Sequence, residues 1–212
     1  MEKIVDFLNT TMKKGAFTLL CVFLLGISCK KETSNNTPPP PPPPPVLDSV
    51  SIFGTQAPVG VTENDSTTGG IVGIELGVKF RSTVNANVVA LRFYKTAGNS
   101  GSHTAQLYTR DGTLLASQVY ATETASGWQT LFLTTPVPVN ANTTYIASYF
   151  SSLGNYVSTA QGLKTAVTND VLTALADSTD GLNGLYKYAN SPTLPDTSHN
   201  SNNYWVDVVV SH

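Results

Sequence analysis

The chain is poor in cysteine, histidine and charge, and each shortage closes off chemistry. Its only cysteines, Cys21 and Cys29, fall within the first 29 of 212 residues. Everything beyond them must fold without a disulfide and without a thiolate metal site. The three histidines, His103, His199 and His212, stand far apart in sequence. There is no His-Glu-x-x-His pair for zinc, no Gly-x-Ser-x-Gly elbow for a nucleophile and no Gly-rich phosphate loop. From residue 47 onward there are seven Lys and Arg against eleven Asp and Glu, with no cluster of either sign. Nucleic-acid binding, which needs grouped cations to meet phosphates, is therefore not expected. No segment sustains the 3.6-residue apolar period of a helix. No catalytic residue is expected, and the chain is read as a non-enzyme.

The one long apolar run is at the N-terminus. Lys13-Lys14 precede a hydrophobic stretch over residues 16–25 that ends in Gly26-Ile27-Ser28-Cys29. The run is shorter than the roughly 18–20 residues that span a bilayer as a helix, so it reads as a cleaved signal over residues 1–28 rather than a retained anchor. Met12 is the more natural start for such a signal. The Gly26-Ile27-Ser28-Cys29 step resembles a bacterial lipoprotein signal, departing from the usual pattern in having Gly26 where Leu is more common. The resemblance implies cleavage before Cys29 and lipidation of that residue, giving a cell-envelope protein anchored to the outer membrane, on its periplasmic side or at the cell surface. The lipid would then be its only membrane contact.

Residues 29–46 read as a linker. Eight consecutive prolines occupy positions 38–45. With φ fixed near −65° and no N–H, they form a polyproline II spacer, at about 3.1 Å per residue. Residues 47–212 follow as one domain, long enough to bury its own core.

In that domain the apolar period is two. Ile74, Leu76, Val78 and Phe80 alternate with Glu75, Gly77, Lys79 and Arg81. Residues 88–95 place Val89, Leu91 and Phe93 inward and Arg92 and Tyr94 outward. Further strands are expected over 104–109, 113–121, 128–133, 144–150, 184–188 and 204–210, with turns at 98–101, Asp111-Gly112, Ser126-Gly127, 136–142 and Asp180-Gly181. The stretch from Asn99 to Leu131 reads as two hairpins, and residues 167–176 have room for a short helical turn. The expected fold is all-β, an antiparallel sandwich of jelly-roll type.

Several of these stretches, among them Glu75-Leu76-Gly77-Val78-Lys79-Phe80, Gly98-Asn99-Ser100-Gly101-Ser102-His103-Thr104, Gly127-Trp128-Gln129-Thr130 and Asn203-Tyr204-Trp205-Val206-Asp207-Val208, look like the bacterial domain-of-unknown-function family 4082. The resemblance runs from about residue 51 to residue 210. It implies a β-sandwich module of exported proteins and no particular activity.

For an exported β-sandwich, a binding role needs only aromatic faces to stack on sugar rings and polar groups to meet hydroxyls. Trp128, Trp205 and Tyr94 are candidate platforms, with Tyr156, Tyr186 and Tyr188 as further aromatics. His103, Asn99 and Arg92 are candidate polar partners. Glu75 and Asp207, on an early and the last strand, are candidate ligands for a structural calcium if those strands pair; otherwise Glu75 pairs with Lys79 or Arg92 and Asp207 with another cation. The oxygen-rich loop of Asp177, Asp180 and Asn183 lacks calcium-loop spacing and reads as a turn. The expected partner is a glycan, and the alternative is a structural or adhesive role with another surface protein as partner.

Overall fold

A computed structural model describes residues 48–59, 62–65 and 72–212. The signal, Cys29 and the proline run lie outside the described residues. Among those residues the chain is all strand and loop, and no helix is long and apolar enough to cross a membrane.

Chain order gives β1 (Ser49–Ser51), β2 (Glu63–Asn64), β3 (Gly73–Ser82), β4 (Ala86–Lys95), β5 (His103–Thr109), β6 (Leu114–Val119) and β7 (Gly127–Val139). There follow β8 (Tyr145–Ser151), β9 (Asn155–Tyr156), β10 (Val167–Asn169), β11 (Leu172–Ala174), β12 (Leu185–Ala189), β13 (Thr197–Ser198) and β14 (Val206–Ser211). One antiparallel sheet runs β1-β14-β4-β7; the larger runs β10-β11-β3-β8-β5-β6, with β12 and β13 added beside β3. Both sheets are open, and together they form a sandwich.

The core lies between them, where alternate residues of the long strands face inward, although β3 and β8 are covered on both faces. The larger sheet supplies Ile74, Leu76, Val78 and Phe80 from β3, Leu107 from β5 and Tyr149 from β8. The smaller supplies Leu91 and Phe93 from β4, Leu131 from β7, and Val206, Val208 and Val210 from β14. Each large apolar side chain so enclosed is worth about 1.5–3 kcal/mol.

Four local expectations are corrected. Val88, not Val89, is the enclosed residue at the start of β4, because the pairing with β14 shifts register there: Val210 faces Val88 and Val209 faces Ala90, leaving Val89 as an extra residue before Leu91 and Phe93 resume the inward face. Residues 136–139, expected as part of a turn, continue β7: Pro136 and Pro138 are tolerated because β7 is an edge strand with only β4 as neighbour. Residues 167–176 form the β10–β11 hairpin instead of a helical turn, with Asp170 in the left-handed region at φ 52° and Leu172 and Ala174 facing the core. The stretch from Asn99 to Leu131 holds one hairpin. β5 and β6 are joined through Arg110-Asp111-Gly112, where Gly112 has φ 93°, whereas the Ser126-Gly127 turn leads from β6 in one sheet to β7 in the other.

Candidate functional site

The expected site residues fall into two groups. Arg92, Tyr94, Trp128 and Trp205 come together on the outer face of the smaller sheet, beneath residues 52–57. Tyr94 meets Trp128 at 5.5 Å and Trp205 at 6.5 Å, and the two indoles are 6.2 Å apart. Most polar atoms of this cluster are engaged within the protein, although Arg92 Nε is buried without a hydrogen-bond partner. Trp128 Nε1 donates to the Gln56 carbonyl at 2.8 Å and Trp205 Nε1 to Thr159 Oγ1 at 2.9 Å. The Arg92 guanidinium lies 4.3 Å from the Trp128 ring centroid, donates to the Gly54 carbonyl and pairs with Asp207. Trp205 itself is held at φ 55°, a region costly for a bulky side chain, by its N–H bond to Asn203 Oδ1. The cluster fastens the 52–57 segment to the sheet.

His103 and Asn99 are elsewhere and fully enclosed. His103 Nε2 faces Asn99 Oδ1 at 2.8 Å, and Nδ1 faces Glu123, whose second oxygen takes Lys95 Nζ at 2.6 Å. Burial pushes the imidazole pKa down and the Glu123 carboxylate opposes it. The ring packs on Phe93 at 4.7 Å, with no face left for a ligand.

Glu75 and Asp207 are not brought together. β14 pairs with β1 and β4, not with β3, so the two carboxyls belong to different sheets. Each alternates with core residues on its own strand, so each points away from the core on its sheet's outer face. Asp207 accepts from the N–H groups of Ile52 and Val208 at 2.8 and 2.7 Å and pairs with Arg92; burial pushes its pKa up while these partners oppose the shift. Glu75 has neither Lys79 nor Arg92 as partner. It accepts from the Thr193 N–H at 3.2 Å and from the Gln106 amide at 2.9 and 3.1 Å, and burial pushes it up to about 8. Oxygens committed in this way, on opposite faces, do not fit a shared calcium ion. The loop of Asp177, Asp180 and Asn183 is a turn: Asp180 pairs with Arg81 and Arg110, and Asp177 accepts the Asn183 N–H at 2.8 Å. Among the described residues no group of three or more His, Cys, Asp or Glu side chains could hold a metal ion.

The cavity that combines aromatic walls with free acceptors is a different one. β12 extends the larger sheet beside the first half of β3, pairing Tyr186 with Leu76 and Tyr188 with Ile74. Their side chains therefore project to the core side of the sheet. β9, paired with β2, brings Tyr156 beside Glu63. Residues 199–204 form the remaining wall, turned by Asn200 and Ser201 at φ 51° and 49° and tied down by the Thr159–Asn203 bridge, with N–H···O bonds of 2.9 Å in both directions. Gly184, at φ 67°, leads into β12 where a Cβ would come within 2.0 Å of the Asn202 carbonyl, so only glycine lets the strand lie against that wall.

These elements enclose about 280 Å³, with Tyr156, Tyr186, Tyr188 and Tyr204 as walls. Glu63, Asp65, His199 and Asn202 supply the polar lining. The hydroxyls of Tyr156 and Tyr188 both donate to Asp65 Oδ2, at 2.7 and 3.0 Å. Burial and then the Asp65 bond push Tyr188 up to about 12 and Tyr156 higher still, so both remain donors at neutral pH. Ser158 Oγ donates to Glu63 Oε1. Among the described residues no Lys or Arg pairs with Glu63 or Asp65. Asn202 is 8% exposed, and its Oδ1 is buried with no hydrogen-bond partner.

Sequence reasoning marked Tyr156, Tyr186 and Tyr188 and missed Glu63, Asp65, His199, Asn202 and Tyr204. Glu63 and Asp65 stand in a Thr-, Asn- and Ser-rich stretch with no alternation, and Tyr204 reads as one more strand residue before Trp205; no spacing signal connects them.

The family model described as Domain of unknown function (DUF4082) matches residues 58–206, which takes in every residue lining this cavity. No curated protein matches the chain.

Proposed function

The chain belongs to the DUF4082 family, and from that premise we propose that it is a non-catalytic cell-envelope lipoprotein whose sandwich binds carbohydrate through the tyrosine cavity. The observation that carries this reading is the convergence of four tyrosine rings with Asp65, Glu63 and Asn202 in one concavity. Tyrosine faces suit the C–H faces of a sugar, and carboxylate and amide oxygens suit its hydroxyls. At about 280 Å³ the space suits one sugar unit of a glycan better than a long stretch of it. The Gly26-Ile27-Ser28-Cys29 step and the proline run at 38–45 support lipid anchoring at the outer membrane with the domain held off the surface by a stalk.

The test is a glycan array probed with the full chain and with Tyr186→Ala. Binding by the parent that the folded variant loses supports the reading, and silence from a folded parent overturns it.

A second reading, adhesion to another protein, draws on a different place. β6 and β7 are the free edges of their sheets on one side of the sandwich, and Phe132, Val119 and Leu114 stand 70%, 56% and 50% exposed there. An open strand edge with exposed apolar side chains is a surface for strand pairing with a protein. Phe132→Lys would weaken such a contact and leave glycan binding unchanged.

A further inference from the structure

The tyrosine cavity has a shape and a charge that narrow its ligand further, and this step rests on the carbohydrate reading above. Its rings are not arranged as a flat platform. Tyr186 meets Tyr188 at 5.6 Å with 73° between the planes, Tyr156 meets Tyr204 at 5.7 Å and 73°, and Tyr186 meets Tyr204 at 6.4 Å and 63°. Aromatic walls set near right angles around one concavity suit a compact cation better than the broad face of a neutral ring, which needs a flat platform.

The charges agree with the rings. Glu63 and Asp65 line the box, and the bonds they accept come from neutral hydroxyls of Ser158, Tyr156 and Tyr188, so that among the described residues no cation balances their negative charge. Lys187, on the same strand as Tyr186 and Tyr188, is directed outward to Asp196 at 2.6 Å. In the lining only His199, an exposed residue, can carry positive charge. Asn202 also lines the box, and its buried Oδ1 has no hydrogen-bond partner within the protein. An ammonium group offers three N–H donors and a full positive charge, the chemistry that carboxylates among aromatic walls call for.

We propose that the cavity is selective for a saccharide carrying a free ammonium group, an amino sugar that is not N-acetylated, whose cation sits within the box of Tyr156, Tyr186, Tyr188 and Tyr204 against Glu63 and Asp65.

The experiment measures binding of the full chain to glucosamine oligomers, to the same oligomers N-acetylated, and to tetramethylammonium, by titration calorimetry at low and high salt. Glucosamine oligomers are expected to bind at least tenfold tighter than the acetylated ones, with affinity falling as salt screens the carboxylates. Glu63→Gln with Asp65→Asn, which keeps acceptors for the tyrosine and serine hydroxyls, is expected to remove that preference, and circular dichroism checks that the variant is folded. Equal or tighter binding of the acetylated oligomers overturns this inference and leaves the carbohydrate reading standing. Binding of tetramethylammonium without either sugar overturns the carbohydrate reading and with it the amino-sugar assignment. No binding of any probe by the folded chain overturns both.

Discussion

Glu75 and Asp207 are both fully buried carboxyls on outer faces of the sandwich, yet the protein satisfies them in opposite ways. Asp207 is matched by a cation, Arg92, and by backbone N–H groups. Glu75 has no cation and is held above its ordinary range by burial, with only the neutral donors of the Thr193 N–H and the Gln106 amide on its carboxyl. Two carboxyls that look alike in sequence therefore give different pH and mutational behaviour.

For Glu75 the sign is set by a pKa that rises on folding, from an ordinary 4.5 to about 8. Across that window the folded chain keeps a proton that the unfolded chain has released, so stability falls as pH rises from about 4.5 to about 8. The full effect is on the order of 3–5 kcal/mol. Glu75→Gln, a neutral stand-in, is expected to flatten this loss and to be more stable than the parent at pH 8.5. Thermal melts of both proteins between pH 4 and pH 9 check it, and parallel curves would contradict it.

Asp207→Ala removes the partner of a buried arginine and the acceptor for Ile52 and Val208. Breaking a buried pair from one side costs about 3–5 kcal/mol. Lys187→Ala, at the exposed pair with Asp196, is expected to cost about 1 kcal/mol or less. Urea denaturation of the two variants measures the difference.

Trp128→Ala takes away a stacking partner of Phe53 and the ring under Arg92. For a half-buried indole the expected cost is about 2 kcal/mol, below that of a fully enclosed one. Loosening of residues 52–57 should follow, seen as faster amide hydrogen exchange at Ile52 and Phe53. Unchanged exchange there would show that the indole does not fasten the segment.

Cys29→Ser is expected to abolish incorporation of labelled fatty acid and to release the protein from the membrane fraction, since the lipid is the proposed anchor. Continued membrane sedimentation without label would place the anchor elsewhere in the chain.

The sandwich was legible because its signal is repeated: alternation at Ile74, Leu76, Val78 and Phe80, or at Val206, Val208 and Val210, states both strand and buried face. The misread segments are those where neighbours override local preference. Pro136 and Pro138 look like breakers until β7 is known to be an edge, and Val89 looks inward until a register shift displaces it. The cavity was legible only in part, because it is assembled by tertiary placement. Tyr186 and Tyr188 announce themselves as a pair two residues apart, but Asp65 reaches Tyr188 across 123 residues of sequence. The aromatic residues that stand out most in the sequence, Trp128 and Trp205, are spent on fastening one segment to a sheet.

The most direct test of the central claim compares Tyr186→Ala with Trp128→Ala in one glycan-binding assay, each confirmed folded by circular dichroism. The account expects Tyr186→Ala to lose binding by at least tenfold while Trp128→Ala keeps it within about twofold. Loss of binding in Trp128→Ala with full binding by Tyr186→Ala would contradict it and move the site to the outer face of the smaller sheet.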